Sequence, residues 1–162
     1  MVYTMPMNIQ STDARLIHFF RRISVPMARL GIFVIFFWFG LLKVLDLSPA
    51  SPLVEQLFNQ TIHFMSFPAF LILFGIFEML IGFLFLIRGA ERIVMPLLFI
   101  HMITTFMPLV MVPDVTWSGW GVPTLEGQYI IKNLVIIAAA IGIAAHLHPL
   151  GESESLVKEL EN

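Results

Sequence analysis

The sequence predicts an all-α fold, an integral membrane four-helix bundle with both termini cytoplasmic. Three observations predict it. Of the 162 residues, 58% are hydrophobic and 12% charged, whereas soluble chains run about 45–50% apolar and about 25% charged. With a mean hydropathy of +0.89, the apolar surplus is too large to hide inside one globule of this length. Four continuous apolar stretches reach the roughly 20 residues that a helix needs to cross about 30 Å of hydrocarbon. They lack the alternation of a lipid-facing strand, which favours helices over a barrel. Outside the stretches themselves, finally, lysine and arginine are confined to the two ends and to one of the three links, as orientation in a bilayer requires. The same composition excludes other classes. A net charge of −2 supplies no basic patch for nucleic acid. The absence of cysteine removes disulfides, thiol nucleophiles, iron–sulfur clusters and cysteine-based zinc sites.

Residues 1–26 form a cytoplasmic or interfacial segment. The stretch DARLIHFFRRIS, 13–24, mixes arginine with Leu, Ile and Phe as an interfacial helix does; an ordinary juxtamembrane flank is the alternative. The long basic lead and the spanning length of the first apolar run predict a retained anchor, not a cleaved signal. Residues 27–147 form the four-span domain, with spans at 27–47, 67–87, 93–112 and 129–147. Arg15, Arg21, Arg22 and Arg29 precede or open the first span, and Arg88 and Arg92 sit between the second and third. The links 47–66 and 113–128 contain no Lys or Arg, which places them outside. Residues 148–162 form a short acidic cytoplasmic tail.

Polar groups inside lipid are costly, so each needs a partner or a purpose. Glu78 lies about eleven residues, or about 16 Å, from the outer end of the second span, near mid-depth. Gly75 and Gly82 flank it at i−3 and i+4, a face that admits a close helical neighbour. In the third span His101, Thr104, Thr105 and Pro108 share one face. Pro108 deprives the Thr104 carbonyl of its donor, and threonine hydroxyls can bond nearby carbonyls, so this stripe reads as a self-repaired kink. Alternatively, His101 pairs with Glu78 as a proton-exchanging couple. Lys43 lies near the outer end of the first span with Gly40 at i−3, and Asp46 at i+3 offers it a local ion pair. Lys132 follows Gln128 at i+4 and adjoins Asn133 in the fourth span. Either lysine can snorkel to the interface or reach inward to Glu78. Such charges serve either to lock helices together or to form a ligand, quinone or proton site.

Weaker signals complete the inventory. Met95, Met102, Met107 and Met111 share the third span with His101, a thioether and imidazole set suited to Cu(I) and equally to core filling. No metal site is assigned. His146 and His148 fall on different helical faces, which argues against shared ligation. Trp117, Trp120 and Tyr129 fit an outer aromatic belt or a ligand entrance, and the link ending in PTLEGQ is placed to fold back as a lid. Trp38 lies deeper, where packing is its simpler role.

Three segments carry a family resemblance: FFWFGLLK (36–43), FEMLIG (77–82) and PTLEGQYIIKNLV (123–135). With them the chain resembles the DoxX-like membrane proteins over 26–145, nearest to the YkgB-like (reactive chlorine resistance) branch. The resemblance implies a four-helix bacterial inner-membrane module. It also implies a role as an accessory or quinone-associated component in redox or oxidative-stress physiology. Quinone is the possible cofactor, and a membrane redox partner or a second copy the possible partner within the lipid bilayer. It points to Trp38, Gly40, Lys43, Glu78, Gly82, Lys132 and Asn133 as a shared polar core. The missing cysteines argue against thiol-based sensing. The residues themselves leave two alternatives: a proton-coupled transporter using Glu78 and His101, and a structural assembly partner without chemistry of its own. On balance the chain is not expected to be an enzyme alone.

Overall fold

The computed structural model describes the backbone of residues 7–147 and the side chains of residues 11–147. The expectations for the 148–162 tail, His148 included, and for the first six residues lie outside the described residues. Helix α1 runs over Met7–Val44 and includes Pro26. It ends in a left-handed cap: Asp46 has φ 56°, and the Leu47 amide donates to the Leu42 carbonyl at 2.8 Å. Helix α2, Ser51–Thr61, starts with a proline in its first turn, where the missing N–H costs nothing. Helix α3, Phe67–Leu86, starts the same way. A tight turn at Gly89, φ 93°, leads into α4, Glu91–Phe106. Pro108 then divides the third span, and α5 covers Pro108–Met111. A turn of helix, α6 (Pro113–Thr116), precedes strands β1 (Trp117–Gly119) and β2 (Val122–Pro123), which pair antiparallel. Helix α7, Leu125–Ala144, is capped by Thr124, whose hydroxyl oxygen accepts from the Gly127 amide.

Four of these stretches are long and apolar enough to cross a membrane: Ser11–Val44, Phe67–Leu86, Glu91–Met111 and Leu125–Ala144. An even number of crossings brings the start of α1 and the end of α7 to one end, which also carries Arg29, Arg88 and Arg92 and is called here the basic end. The opposite, hairpin end carries α2, α5, α6 and the β-hairpin. The interior is a single cluster that includes Ile32, Phe36, Ile81, Phe85, Val94, Leu98, Met102, Ile136, Ala140 and Ile143. Large apolar side chains also cover the outside, among them Ile72, Ile76, Phe83, Ile100 and Ile103. Helices apolar on every side suit a lipid surround.

Three features differ from the sequence expectation. Where the 1–26 segment is described it is helical and continuous with the first span, because α1 passes through Pro26 without a break. The link 47–66 contains helix α2, and the link 113–128 contains a two-stranded hairpin, so the fold is all-α in its spans with one short sheet in a loop.

The third feature is depth. Helices α1 and α3 form the most extensive contact in the fold, and Gly40 faces Gly75 across it. A Cβ on Gly40 would lie 2.5 Å from the Gly75 carbonyl oxygen, and one on Gly75 would lie 2.6 Å from that of Gly40. A Cβ on Gly82 would lie 2.9 Å from the Phe37 backbone nitrogen and 3.1 Å from the Phe33 carbonyl oxygen of α1. Glycine is needed at such a crossing because any side chain would hold the backbones apart. This register sets the last turn of α1 beside the middle of α3. The hairpin-end third of α3 is covered instead by α2, whose buried Phe58 packs on Phe67 and Phe70. At the basic end Arg29 joins three helices. It donates to the Phe85 carbonyl at 3.1 Å and pairs with Glu91. Beyond that level α1 continues from Arg29 back to Ser11, roughly 27 Å of helix at 1.5 Å per residue.

Candidate functional site

The α1–α3 register delivers the Lys43 ammonium to mid-depth. Its Nζ donates to Glu78 Oε2 at 2.6 Å, with both side chains only 7% exposed. Lys43 occupies the last turn of α1, where the partial negative charge of the helix terminus favours a cation. From α4, His101 Nε2 lies 2.9 Å from the other carboxylate oxygen, Oε1. Glu78 therefore bridges a cation and an imidazole contributed by two different helices, and both its oxygens are engaged.

The partners of His101 continue the chain of contacts. Its Nδ1 lies 3.2 Å from Thr105 Oγ1. The Thr104 and Thr105 hydroxyls reach the His101 carbonyl at 2.7 and 3.0 Å. The expected repair of the Pro108 kink is thus displaced: both hydroxyls lie within reach of the carbonyl of His101 and not that of Thr104, and Thr105 reaches the His101 ring as well. Phe74 stacks on the imidazole at a centroid distance of 5.2 Å and an interplanar angle of 9°. Phe36 meets the ring edge-on at 5.0 Å, and Phe77 lies at 6.1 Å. The Lys43 ammonium sits 5.6 Å from the Phe74 centroid, within cation–π range. The stack extends toward the hairpin end, since Phe70 lies on Phe74 at 5.5 Å and Phe58 of α2 on Phe70 at 5.0 Å. Aromatic rings thereby screen the cluster from that end, and weak dielectric screening strengthens each charge contact within it.

Of the residues singled out from sequence, Gly40, Lys43, Glu78, Gly82, His101, Thr104 and Thr105 converge on the cluster or on the helix crossing that frames it. Three do not. Trp38 is 61% exposed; it sits two residues from Gly40 and five from Lys43, on the opposite side of α1. Lys132 is exposed on α7, with its ammonium 5.0 Å from the Tyr129 ring centroid, which is the snorkelling alternative. The Asn133 amide donates to the carbonyls of Tyr129 and Ile130, both at 3.1 Å, and so satisfies itself on its own helix. These three lie apart from the polar core the resemblance assigned them. Trp38→Ala is accordingly expected to change stability by less than about 0.5 kcal/mol, as exposed substitutions do; thermal unfolding in detergent checks this.

The local Lys43–Asp46 pair is likewise not formed. Asp46 is exposed in the cap of α1, and Lys43 turns to Glu78. Both ring nitrogens of His101 are occupied, which leaves none for copper. Met95 and Met102 are buried, and Met102, Met107 and Met111 line an open apolar groove with Phe99, Phe106 and Ile137. Among the described residues no group of three or more His, Asp or Glu is placed to hold a metal ion. At the hairpin end Trp117 Nε1 donates to the Leu109 carbonyl at 2.9 Å, whereas Trp120 is fully exposed at the hairpin tip.

Sequence reasoning missed the aromatic enclosure and the Arg29–Glu91 pair. A signal for each was present. Phe36, Gly40 and Lys43 fall at i, i+4 and i+7, one face of α1, and Phe74 precedes Glu78 by four. Glu91 is the single acid in a link otherwise bearing arginines.

Comparison of the chain with protein-family models, curated proteins and solved structures finds no match. What fold and site define is a class: a multi-pass α-helical membrane protein that encloses a Lys–Glu–His cluster between three of its helices.

Proposed function

We propose that the chain is a DoxX-like accessory protein of the bacterial inner membrane that exchanges protons with a quinone-linked redox partner. The termini and the basic end face the cytoplasm, as the placement of Arg29, Arg88 and Arg92 favours. Quinone reduction consumes protons as well as electrons. A partner in the membrane supplies the electrons in this reading, and the cluster handles the protons. The observation that carries it is the placement of Glu78 between Lys43 and His101. A lysine on one oxygen supplies the carboxylate with a counter-ion, and an imidazole on the other is the side-chain type best suited to proton exchange.

The test uses the full chain in nanodiscs. Purified wild-type protein is expected to retain quinone on lipid extraction or to bind added ubiquinone. Glu78→Gln, which keeps the shape and removes the charge, is expected to weaken that binding about tenfold, or about 1.4 kcal/mol. Wild-type protein that neither retains nor binds quinone would remove this reading. The Glu78–His101 contact also favours proton-coupled transport. In proteoliposomes without quinone, that alternative requires wild type to dissipate an imposed pH gradient and Glu78→Gln to preserve it.

A further inference from the structure

We infer that Thr105 is the positioning residue that holds His101 as the neutral tautomer protonated on Nε2, by donating its hydroxyl hydrogen to Nδ1. The inference assigns a part in the proposed proton exchange to a side chain that does not touch Glu78.

The argument is one of donors and acceptors. Thr105 Oγ1 lies within reach of two acceptors, the His101 carbonyl at 3.0 Å and the ring Nδ1 at 3.2 Å, and a hydroxyl has one hydrogen to give. The carbonyl has two lone pairs. It is already supplied by the helical N–H of Thr105 and by the Thr104 hydroxyl at 2.7 Å. The hydrogen of Thr105 is therefore surplus at the carbonyl and needed at Nδ1. With Nδ1 accepting, the ring proton resides on Nε2 and points at Glu78 Oε1, 2.9 Å away. The contacts then run in one direction, from Thr105 to the ring, from the ring to the carboxylate, and from Lys43 to the carboxylate at 2.6 Å.

Charge counting agrees. The groups around the ring are Glu78 from α3, Lys43 from α1 beyond that carboxylate, and the uncharged Phe36, Phe74 and Phe77. Lys132 of α7 is exposed and held at Tyr129. A neutral ring beside ionised Lys43 and Glu78 makes the cluster neutral overall. A proton on Nδ1 would require either an imidazolium, which leaves a net positive charge in the bundle, or a protonated Glu78, which leaves Lys43 without its counter-ion. Both are costly away from water. The second proton can enter at Nδ1 only when the hydroxyl swings to the carbonyl, and the 3.0 Å contact provides that alternative position. Thr105 is thus a two-position latch on the ring.

The test is 15N NMR of the full chain in nanodiscs with labelled histidine, the His101 signals being assigned by comparison with His101→Gln. In wild type Nδ1 is expected unprotonated and hydrogen-bonded, and Nε2 protonated. Thr105→Val is expected to shift the Nδ1 resonance downfield through loss of the donor, and Thr105→Ser to restore the wild-type position. A threonine that served only the backbone carbonyl would leave Nδ1 unmoved in Thr105→Val, and that outcome overturns the proposal. So does a neutral His101 protonated on Nδ1 in wild type, which decides the matter even if the valine variant fails to fold. The readout needs neither quinone nor flux, so the tautomer can stand while the proposed function falls, or the reverse.

Discussion

Glu78→Ala is expected to destabilise the bundle by about 3–5 kcal/mol, the range for removing one partner of a buried ion pair. The substitution strips Lys43 of its counter-ion and His101 of its acceptor together. The stranded ammonium accounts for most of the loss, because it lies in the last turn of α1 under the Phe74 ring with 7% of its side chain exposed. The effect should be non-additive. Lys43→Leu combined with Glu78→Leu removes both charges and is expected to recover most of the stability, since well-packed apolar pairs often equal buried ionic ones. Denaturant titration in mixed micelles of the two single variants and the double variant measures the coupling. If Glu78→Ala lay within about 0.5 kcal/mol of wild type, Lys43 would have found water, and the enclosure described above would be wrong.

The second large effect belongs to the crossing of α1 and α3. Gly75→Val is expected to cost at least about 3 kcal/mol, the upper part of the range for overpacking a rigid contact. Its Cβ alone would sit 2.6 Å from the Gly40 carbonyl oxygen and 3.0 Å from the Lys43 Cβ. A carbonyl of the helix backbone cannot turn aside as a side chain can, so the helices must separate. Separation also withdraws Lys43 from Glu78, and the packing and electrostatic losses compound. Gly31→Ala is the control. Nothing lies within 4 Å of the Cβ it would add, and replacing a helical glycine by alanine without a clash gains about 0.5–1 kcal/mol. Thermal unfolding of both variants in one detergent separates a demand for close approach from a general cost of altering helical glycines. A neutral Gly75→Val would mean that the α1–α3 register is not the one described.

Much of this was legible in the residues. The spans follow from stretches too long and too apolar for any soluble element. The Glu78–His101 contact was one of two readings of the third-span stripe, open on depth because both residues lie about the same number of turns from the ends of adjacent helices, and the structure forms it. The glycine face of α3 was equally plain from the spacing of Gly75, Glu78 and Gly82. The fate of Lys43 was not, because its sequence neighbour Asp46 competes with Glu78, and the competition is settled by where α1 stops relative to α3. Trp38, Lys132 and Asn133 were grouped with the cluster by resemblance. Helical phase on α1 and local carbonyl partners on α7 set them apart.

Composition and periodicity thus decide that this chain crosses a membrane four times and which of its helical faces carry polar groups. Both are properties of a single helix and its solvent, which short-range pattern encodes. The axial register between helices decides which polar groups meet. It arises from the sum of backbone contacts at Gly40, Gly75 and Gly82 and from α2 covering the hairpin-end third of α3. The glycine contacts join residues more than thirty positions apart, so no local pattern contains them, and the Lys43–Glu78–His101 cluster exists only once they are made.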